Sequence, residues 1–91
     1  MPRGAPRLRA RDGKKNRIAG RLKQRRDELG LTYDALAARV ADATGGDWNP
    51  GEQDVLKIEH GTRMVIDEEI VALSLALSCN PCWLLLGEDS P

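Results

Sequence analysis

Apolar residues recur at intervals of three and four along this chain, in short stretches that stop at glycine or at an Asn-Pro pair. Ile18, Leu22 and Leu29 fall on one helical face, and Gly30 follows as a stop. Four further stretches have a helical period, and none alternates as a strand would. They lie within residues 33–40, 52–60, 67–77 and 81–86. The sequence therefore predicts an all-α fold of five short helices.

Capping residues mark where these helices begin and end. Thr32 and Asp67 are good N-caps for the second and fourth helices, and Asn80 precedes a proline that suits the first turn of the fifth. Gly61 and Gly87 are typical of helix C-terminal ends. These signals place every predicted helix between recognisable stops.

Length and composition restrict the kind of protein. The 91 residues suit one small domain and exclude two packed ones. Hydrophobic residues make up 41% of the chain and charged residues 31%, which excludes wholesale disorder. No apolar run approaches the ~20 residues of a membrane helix, and no apolar segment follows the N-terminal charges as in a secretory signal. We therefore expect a cytoplasmic chain that does not bind membranes.

Charge is divided unequally along the chain, although the formal net charge is zero. Residues 1–26 carry eleven Lys and Arg against one acid, which gives +10, and residues 27–91 carry three bases and thirteen acids, which gives −10. A basic end predicts a polyanionic partner. A solvated tail that binds nothing explains the same charge equally well.

Residues 1–15 contain two Pro, two Gly and six bases, with Leu8 as their only large aliphatic residue after Met1. They cannot bury enough apolar surface to offset the entropy of ordering, so we predict a flexible basic arm. The domain is expected to span residues 16–88, with residues 89–91 as a short tail.

Two charged residues occupy positions that should face inward. Arg26 continues the stripe of Ile18 and Leu22 in steps of four, and Glu59 follows Val55 by four on the third helix. A lone buried charge costs several kcal/mol, whereas a hydrogen-bonded pair is tolerated. We predict a buried Arg26–Glu59 ion pair. The alternative is that Arg26 extends to water and Glu59 lies at a helix edge.

Four stretches occur in a characteristic order: RIAGRLKQRRDELGLT, YDALAARV, VLKIEHGTR and LALSCNPCWLLLGE. Together they resemble the lambda-repressor-like helix-turn-helix family, also called the Cro/CI or Xre type. The resemblance implies a five-helix domain that binds specific sequences of duplex DNA, with the third helix in the major groove and a dimer across two half-sites. In this family an inward Arg and Glu pair, which agrees with the argument from spacing.

The resemblance also implies roles for individual residues. Those expected to face base edges are Glu52, Gln53 and Lys57, whose side chains can pair with cytosine, adenine and guanine. Those expected beside the DNA backbone, where they position the protein without reading sequence, are Thr32, Tyr33, Thr62 and Arg63. Taken singly, each of these side chains has the alternative of being merely solvated.

The third helix begins with acids that would repel phosphate, Glu52 and Asp54. Affinity would then depend on the basic arm, since such arms can lie in a DNA groove. The arm residues expected to contact the DNA backbone are Arg3, Arg7, Arg9, Arg11, Lys14 and Lys15.

Residues 43–51, ATGGDWNPG, form a longer connection between the second and third helices than the family uses. This loop could be inert, contact DNA or bind another protein. We expect its Trp48 to cover an edge of the core.

The fifth helix carries four consecutive large apolar residues, Trp83, Leu84, Leu85 and Leu86. One short terminal helix cannot bury all four against one small core, so we predict that they contribute to a homodimer interface. The alternative is that the arm or the loop covers them.

No nucleophile–base set, phosphate loop or carboxylate cluster suggests an enzyme, and we expect no cofactor. Cys79 and Cys82 form a CxxC with only His60 as a further Cys or His, too few ligands for a zinc site. The sequence therefore favours a dimeric transcriptional regulator, most simply a repressor. The alternative is a protein-interaction module on the same fold, such as an antitoxin, a phage factor or an adaptor, that does not read DNA sequence.

Overall fold

The computed structural model describes residues 9–91 and contains five α-helices and no strand over that range. They are α1 (Ala19–Glu28), α2 (Tyr33–Ala43), α3 (Glu52–His60), α4 (Asp67–Ala76) and α5 (Pro81–Leu86). The all-α prediction with five short helices is confirmed. No helix in the described part of the chain combines the length and apolarity needed to cross a membrane.

The helix ends follow the capping chemistry of the sequence. The hydroxyl oxygen of Thr32 accepts a hydrogen bond from the backbone N–H of Ala35 at 3.0 Å, and the side-chain oxygen of Asn80 accepts one from Cys82 at 2.8 Å. Gly61 and Gly87 have φ of 77° and 75°, the left-handed conformation that ends a helix. These four positions behave as predicted.

The start of α4 differs by one residue from the prediction. Ile66 is the N-cap, and Asp67 is the first helical residue. The reason is Glu69, whose carboxylate reaches back and accepts a hydrogen bond from the backbone N–H of Ile66 at 3.1 Å. A carboxylate at this third position can satisfy an unpaired helix donor in place of a side chain on the cap itself.

The core is aliphatic, as a chain without Phe requires. Nine side chains in it are fully buried, and all five helices or their flanking residues contribute: Ile18, Leu22, Leu36, Val40, Val55, Ile58, Leu73, Leu77 and Leu84. In this core α4 packs against α2 and α5, and α1 packs against α3. Tyr33 and Trp48 are half-buried at its edge, which confirms that Trp48 covers the core.

Asn16 ties the start of α1 to the end of α3. Its side-chain amide donates to the carbonyl of Ile58 at 3.0 Å and to that of Arg63 at 2.9 Å, and its oxygen accepts from the N–H of Ile18 at 3.1 Å. The residue is 6% exposed. A single buried side chain therefore bonds three backbone groups from two distant segments of the chain.

Two arginines of α1 bind the carboxyl ends of other helices. Arg21 donates to the carbonyls of Leu84 and Leu85, each at 2.9 Å. Arg25 likewise donates to the carbonyls that follow α4, those of residues 77 and 78, at 2.9 and 3.0 Å. Cations are favoured at helix C-termini, where carbonyls are unpaired. Part of the positive charge of residues 1–26 therefore holds α1 against α4 and α5.

The structure also corrects the prediction for the fifth helix. Trp83 and Leu84 are only 5% and 0% exposed in the single chain, so neither is available as a dimer contact. Helix α5 lies against α4 and is bound to α1 through Arg21, so it is covered on two sides. Leu85 is half-buried, and only Leu86, at 51%, remains largely exposed.

Candidate nucleic-acid interface

Helix α3 has one exposed and one buried face. The three residues predicted to face bases, Glu52, Gln53 and Lys57, are all exposed, whereas Val55 and Ile58 are fully buried. Residues 53 and 57 are one helical turn apart, so they share a face. Gln53 and Lys57 therefore lie together on one face of α3, and Glu52 is exposed at the first position of the helix.

The buried face of α3 carries the predicted ion pair. Arg26 Nε and Nη2 donate to the two carboxylate oxygens of Glu59 at 2.7 and 2.9 Å. The side chains are 13% and 2% exposed. A third nitrogen, Nη1, donates to the carbonyl of Leu31 at 2.9 Å. The hydrogen bond with Glu59 raises the pKa of Arg26 above its ordinary value. The predicted pair is confirmed, and it fixes α3 against α1.

Tyr33 belongs to this same cluster. Its hydroxyl donates to Glu59 Oε1 at 3.2 Å, and the Arg26 guanidinium carbon lies 4.4 Å from the centre of its ring. The phenolic proton is therefore used inside the protein. Tyr33 therefore supports the ion pair, and its expected place beside the DNA backbone stays a prediction.

Arg63 also has an internal partner. Its Nη1 and Nη2 donate to the two oxygens of Glu69 at 3.1 and 2.8 Å, and Nη1 also donates to the carbonyl of Met64. Its guanidinium carbon lies 5.7 Å from the centre of the Trp48 ring. The hydrogen bond from Arg63 lowers the pKa of Glu69 below its ordinary value. Arg63, which was predicted to lie beside the DNA backbone, is thus a half-buried residue whose charge is neutralised by Glu69.

The two threonines predicted beside the backbone are exposed. Thr32 accepts from the backbone of α2 as its N-cap, which leaves its own hydroxyl proton available to an external acceptor. Thr62 donates to the carbonyl of Lys57 at 3.3 Å, at the end of α3. Of this pair, Thr32 is the better placed to donate to a phosphate.

The described portion of the predicted arm, residues 9–15, is a turn bound to the domain, which differs from the expected flexible segment. Ala10 N–H donates to the carbonyl of Lys14 at 3.1 Å, and Lys15 N–H donates to that of Gly61 at 2.8 Å. Lys14 packs so closely that a Cβ on Gly61 would lie 2.5 Å from its Cδ. Gly61 is therefore required both by its φ and by this contact.

This turn brings positive charge to the carboxyl end of α3. Arg9, Arg11 and Lys15 are exposed on it, and Lys57 is exposed on the last turn of the helix. The other predicted arm residues, Arg3 and Arg7, lie outside the described residues. At the opposite end of α3 stand the acids, with Glu52 exposed and Asp54 accepting from Gly51 N–H at 3.1 Å. The surface of α3 is consequently polarised, acidic at its start and basic at its end.

The connection between α2 and α3 covers residues 44–51, one residue shorter than predicted because Ala43 is still helical. Thr44 Oγ1 accepts a hydrogen bond from Trp48 N–H at 3.0 Å. Its one proton has three acceptors within reach, the carbonyls of Val40, Ala41 and Trp48, at 3.1, 3.2 and 3.1 Å. These bonds close the loop on itself and hold the indole against the core.

The cysteines are free thiols, with Cys79 half-buried and Cys82 exposed. Burial raises the pKa of the Cys79 thiol, which makes it a poor nucleophile. Among residues 9–91, no cluster of three or more His, Cys, Asp or Glu side chains is arranged to hold a metal ion.

No family model matches this sequence, and neither the curated proteins nor the solved structures give a match to it. The resemblance to the helix-turn-helix family therefore stays a prediction from the sequence.

Proposed function

We propose that this protein binds duplex DNA in a sequence-specific way, with α3 in the major groove, and that it regulates transcription as a dimer. One observation carries the proposal: Gln53 and Lys57, two side chains able to pair with base edges, share the exposed face of a helix that is fixed from behind, and a third such side chain, Glu52, is exposed at the start of that helix. The Arg26–Glu59 pair and Asn16 supply that fixation. Rigid placement of the reading side chains is what direct readout requires.

Each exposed residue of α3 suits a different base. Gln53 can form two hydrogen bonds with adenine, Lys57 can donate to the O6 and N7 acceptors of guanine, and Glu52 can accept from the amino group of cytosine. Glu52 lies at the helix start with Asp54, so its acidity also stabilises the helix dipole. We expect Gln53 and Lys57 to contribute more to specificity than Glu52.

The electrostatic attraction to DNA comes from the basic turn. The exposed cations Arg9, Arg11 and Lys15 lie on the turn whose Lys15 N–H is bonded to Gly61 at the end of α3, and their charge offsets that of the acids at its start. Arg63 adds little, because Glu69 neutralises it. Repression by occupying a promoter is the simplest mechanism for such a domain, since it requires only binding.

The test is selection of bound sequences from a random duplex library, followed by affinity measurements on the enriched site. Gln53→Ala and Lys57→Ala should each weaken binding to that site by about 10-fold or more. Gln53→Ala should leave binding to random duplex nearly unchanged. Gln24→Ala, an exposed glutamine on α1, is the matched control and should leave both unchanged. Failure to enrich any motif would contradict the proposal.

A protein-interaction module on the same fold is the second candidate. It is favoured by the acids at the start of α3 and by the neutralised Arg63. This alternative predicts that the library yields no motif and that Gln53→Ala has no effect on duplex binding at any salt concentration.

A further inference from the structure

Helix α4 is more apolar than its role in the core requires. Its inner face buries Ile70 and Leu73, yet Val71 and Leu75 are 48% and 61% exposed on the outer face, and Ile66 is 61% exposed just before the helix. We call Ile66, Val71 and Leu75 the α4 face. Large apolar side chains grouped on the surface of a small domain are typical of a contact with another polypeptide.

Two hollows flank the α4 face, and Val71 lines both of them. The first, about 440 Å³, lies on the side of Asp67 and Ile70 and extends to Leu85 of α5. The second, about 560 Å³, lies on the side of Glu68 and Leu75. Helical geometry places these pairs on opposite sides of Val71, so the hollows run along either flank of α4.

The extended loop forms the outer wall of the second hollow. Thr44, Asp47 and Trp48 line it opposite Leu75. The bonds between Thr44 and Trp48 fix this wall in place. The additional length of the connection between α2 and α3 therefore shapes a groove along α4.

The two flanks carry opposite charge. Lys15 and Arg17 line the first hollow together with one acid, Asp67. Asp47 and Glu68 line the second, and no base lines it within the described residues. Glu69 is also present there, but Arg63 neutralises it. The α4 face is thus an apolar ridge with a basic edge on one side and an acidic edge on the other.

We propose that the α4 face binds a second copy of this chain, in a symmetric dimer whose two-fold axis runs along α4. Such an axis exchanges the two sides of the helix between the copies. The basic edge of one protomer then faces the acidic edge of its partner, on both sides at once, while the apolar ridges meet at the centre. A two-fold interface requires a surface that is complementary to itself, and this one is.

Charge selects this occupant. A partner that is basic throughout would oppose Lys15 and Arg17, and one that is acidic throughout would oppose Asp47 and Glu68. A copy of the same surface, related by a two-fold axis that is parallel to α4 and lies between the two protomers, avoids both repulsions. The geometry therefore moves the dimer contact from α5, where the four consecutive apolar residues predicted it, to α4.

This inference deepens the proposed function by naming the surface that would join two DNA-binding units. Only the use of the dimer, to join two DNA-binding units, rests on that proposed function. The test of the interface contains no DNA. A dimer without an enriched DNA motif would reject the regulator alone, and an enriched motif with a monomeric protein would reject this interface alone.

The first test is sedimentation equilibrium of the full chain from low to high micromolar concentration. The unmodified protein should be a reversible dimer. Leu75→Asp should raise the dimer dissociation constant by about 30-fold or more, because it introduces a carboxylate at the apolar centre. Leu86→Asp is the matched control, an exposed leucine of α5 that should leave dimerisation unchanged. A monomeric unmodified protein, or a larger effect at Leu86, overturns the proposal.

The second test uses the symmetry of the charges. One variant, Lys15→Glu with Arg17→Glu, has two acidic edges, and another, Asp47→Lys with Glu68→Lys, has two basic edges. Each alone should dimerise about 10-fold or more weakly than the unmodified chain, whereas an equimolar mixture should form a heterodimer. Circular dichroism verifies that both variants are folded. If the mixture associates no better than its components, the two-fold arrangement about α4 is wrong.

Discussion

Arg26 and Glu59 meet through two parallel hydrogen bonds, of 2.7 and 2.9 Å, between side chains 33 residues apart in the sequence. The pair joins α1 to α3, and the Tyr33 hydroxyl at 3.2 Å adds α2 to the same carboxylate. Three helices are therefore fixed to one another at one buried acid. Two-pronged Arg–carboxylate contacts also set orientation, so this cluster determines how α3 presents its outer face.

Removing the carboxylate should unfold much of the population. Glu59→Ala leaves the Arg26 charge buried without its partner, and we expect a loss of about 3–5 kcal/mol in the free energy of unfolding. Urea denaturation followed by circular dichroism measures it. Tyr33→Phe, which removes only one hydrogen bond to the same carboxylate, should cost about 1 kcal/mol. A loss below about 1 kcal/mol for Glu59→Ala would show that the pair does not hold the helices together.

Asn16 should contribute more to the free energy of unfolding than any exposed residue near it. Asn16→Ala removes the donor to the carbonyls of Ile58 and Arg63 and the acceptor for the N–H of Ile18, so three hydrogen bonds inside the protein are lost. We expect a loss of about 1–3 kcal/mol in chemical denaturation. The control is Gln24→Ala on the exposed face of α1, which should change stability by less than about 0.5 kcal/mol. Equal effects of the two substitutions would mean that water replaces the Asn16 amide.

Acid should weaken the contact between Arg63 and Glu69. The hydrogen bond from Arg63 lowers the pKa of Glu69 below the ordinary value of 4.5. A carboxyl whose pKa is lower in the folded state contributes fully to stability above its unfolded pKa, and loses that contribution as pH falls through the folded pKa. The melting temperature of the unmodified protein should therefore exceed that of Glu69→Gln near neutral pH, and the difference should shrink below about pH 4.5.

Asp27→Asn is the comparison for that experiment. Lys23 lowers the pKa of Asp27 in the same direction, but both side chains of this pair are more than half exposed. Solvent screens such a pair, so its removal should change the acid dependence very little. If the difference in melting temperature between Glu69→Gln and the unmodified protein stays constant from about pH 7 to about pH 3, the charge of Glu69 in its contact with Arg63 does not contribute to stability.

The sequence predicted what depends on local pattern. Helix periodicity and capping located α2 and α5 through Thr32 and Asn80, and steps of four identified Arg26 as an inward charge. Interactions between distant segments were not predictable in this way. The role of Asn16 was not predicted, because the two carbonyls to which it donates lie 42 and 47 residues away. The internal pairing of Arg63 was missed because its acid, Glu69, is on the next helix.

The burial of Trp83 and Leu84 within the single chain was missed for a related reason. Four consecutive apolar residues are many for one short helix to bury. However, Arg21 binds α5 to α1, and Trp83 and Leu84 are buried in the single chain. The exposed apolar residues belong to α4. Val71 and Leu75 are one helical turn apart on its outer face, whereas Ile70 lies on its inner face. That excess was present in the sequence as apolar residues on all sides of one helix.

The basic turn provides the last prediction, on the salt dependence of DNA binding. Deleting residues 1–15 would also remove the bond from Lys15 N–H to Gly61, so point substitutions are the cleaner test. Arg9→Ala combined with Arg11→Ala should weaken binding to duplex DNA and reduce the slope of log K against log salt by about 1.8, which corresponds to two phosphate contacts. Fluorescence anisotropy between about 50 and 200 mM salt measures the slope. Lys23→Ala, which removes a cation already paired with Asp27 at 2.8 Å, should leave the slope unchanged. An unaltered slope for the double variant would assign the attraction to another part of the protein.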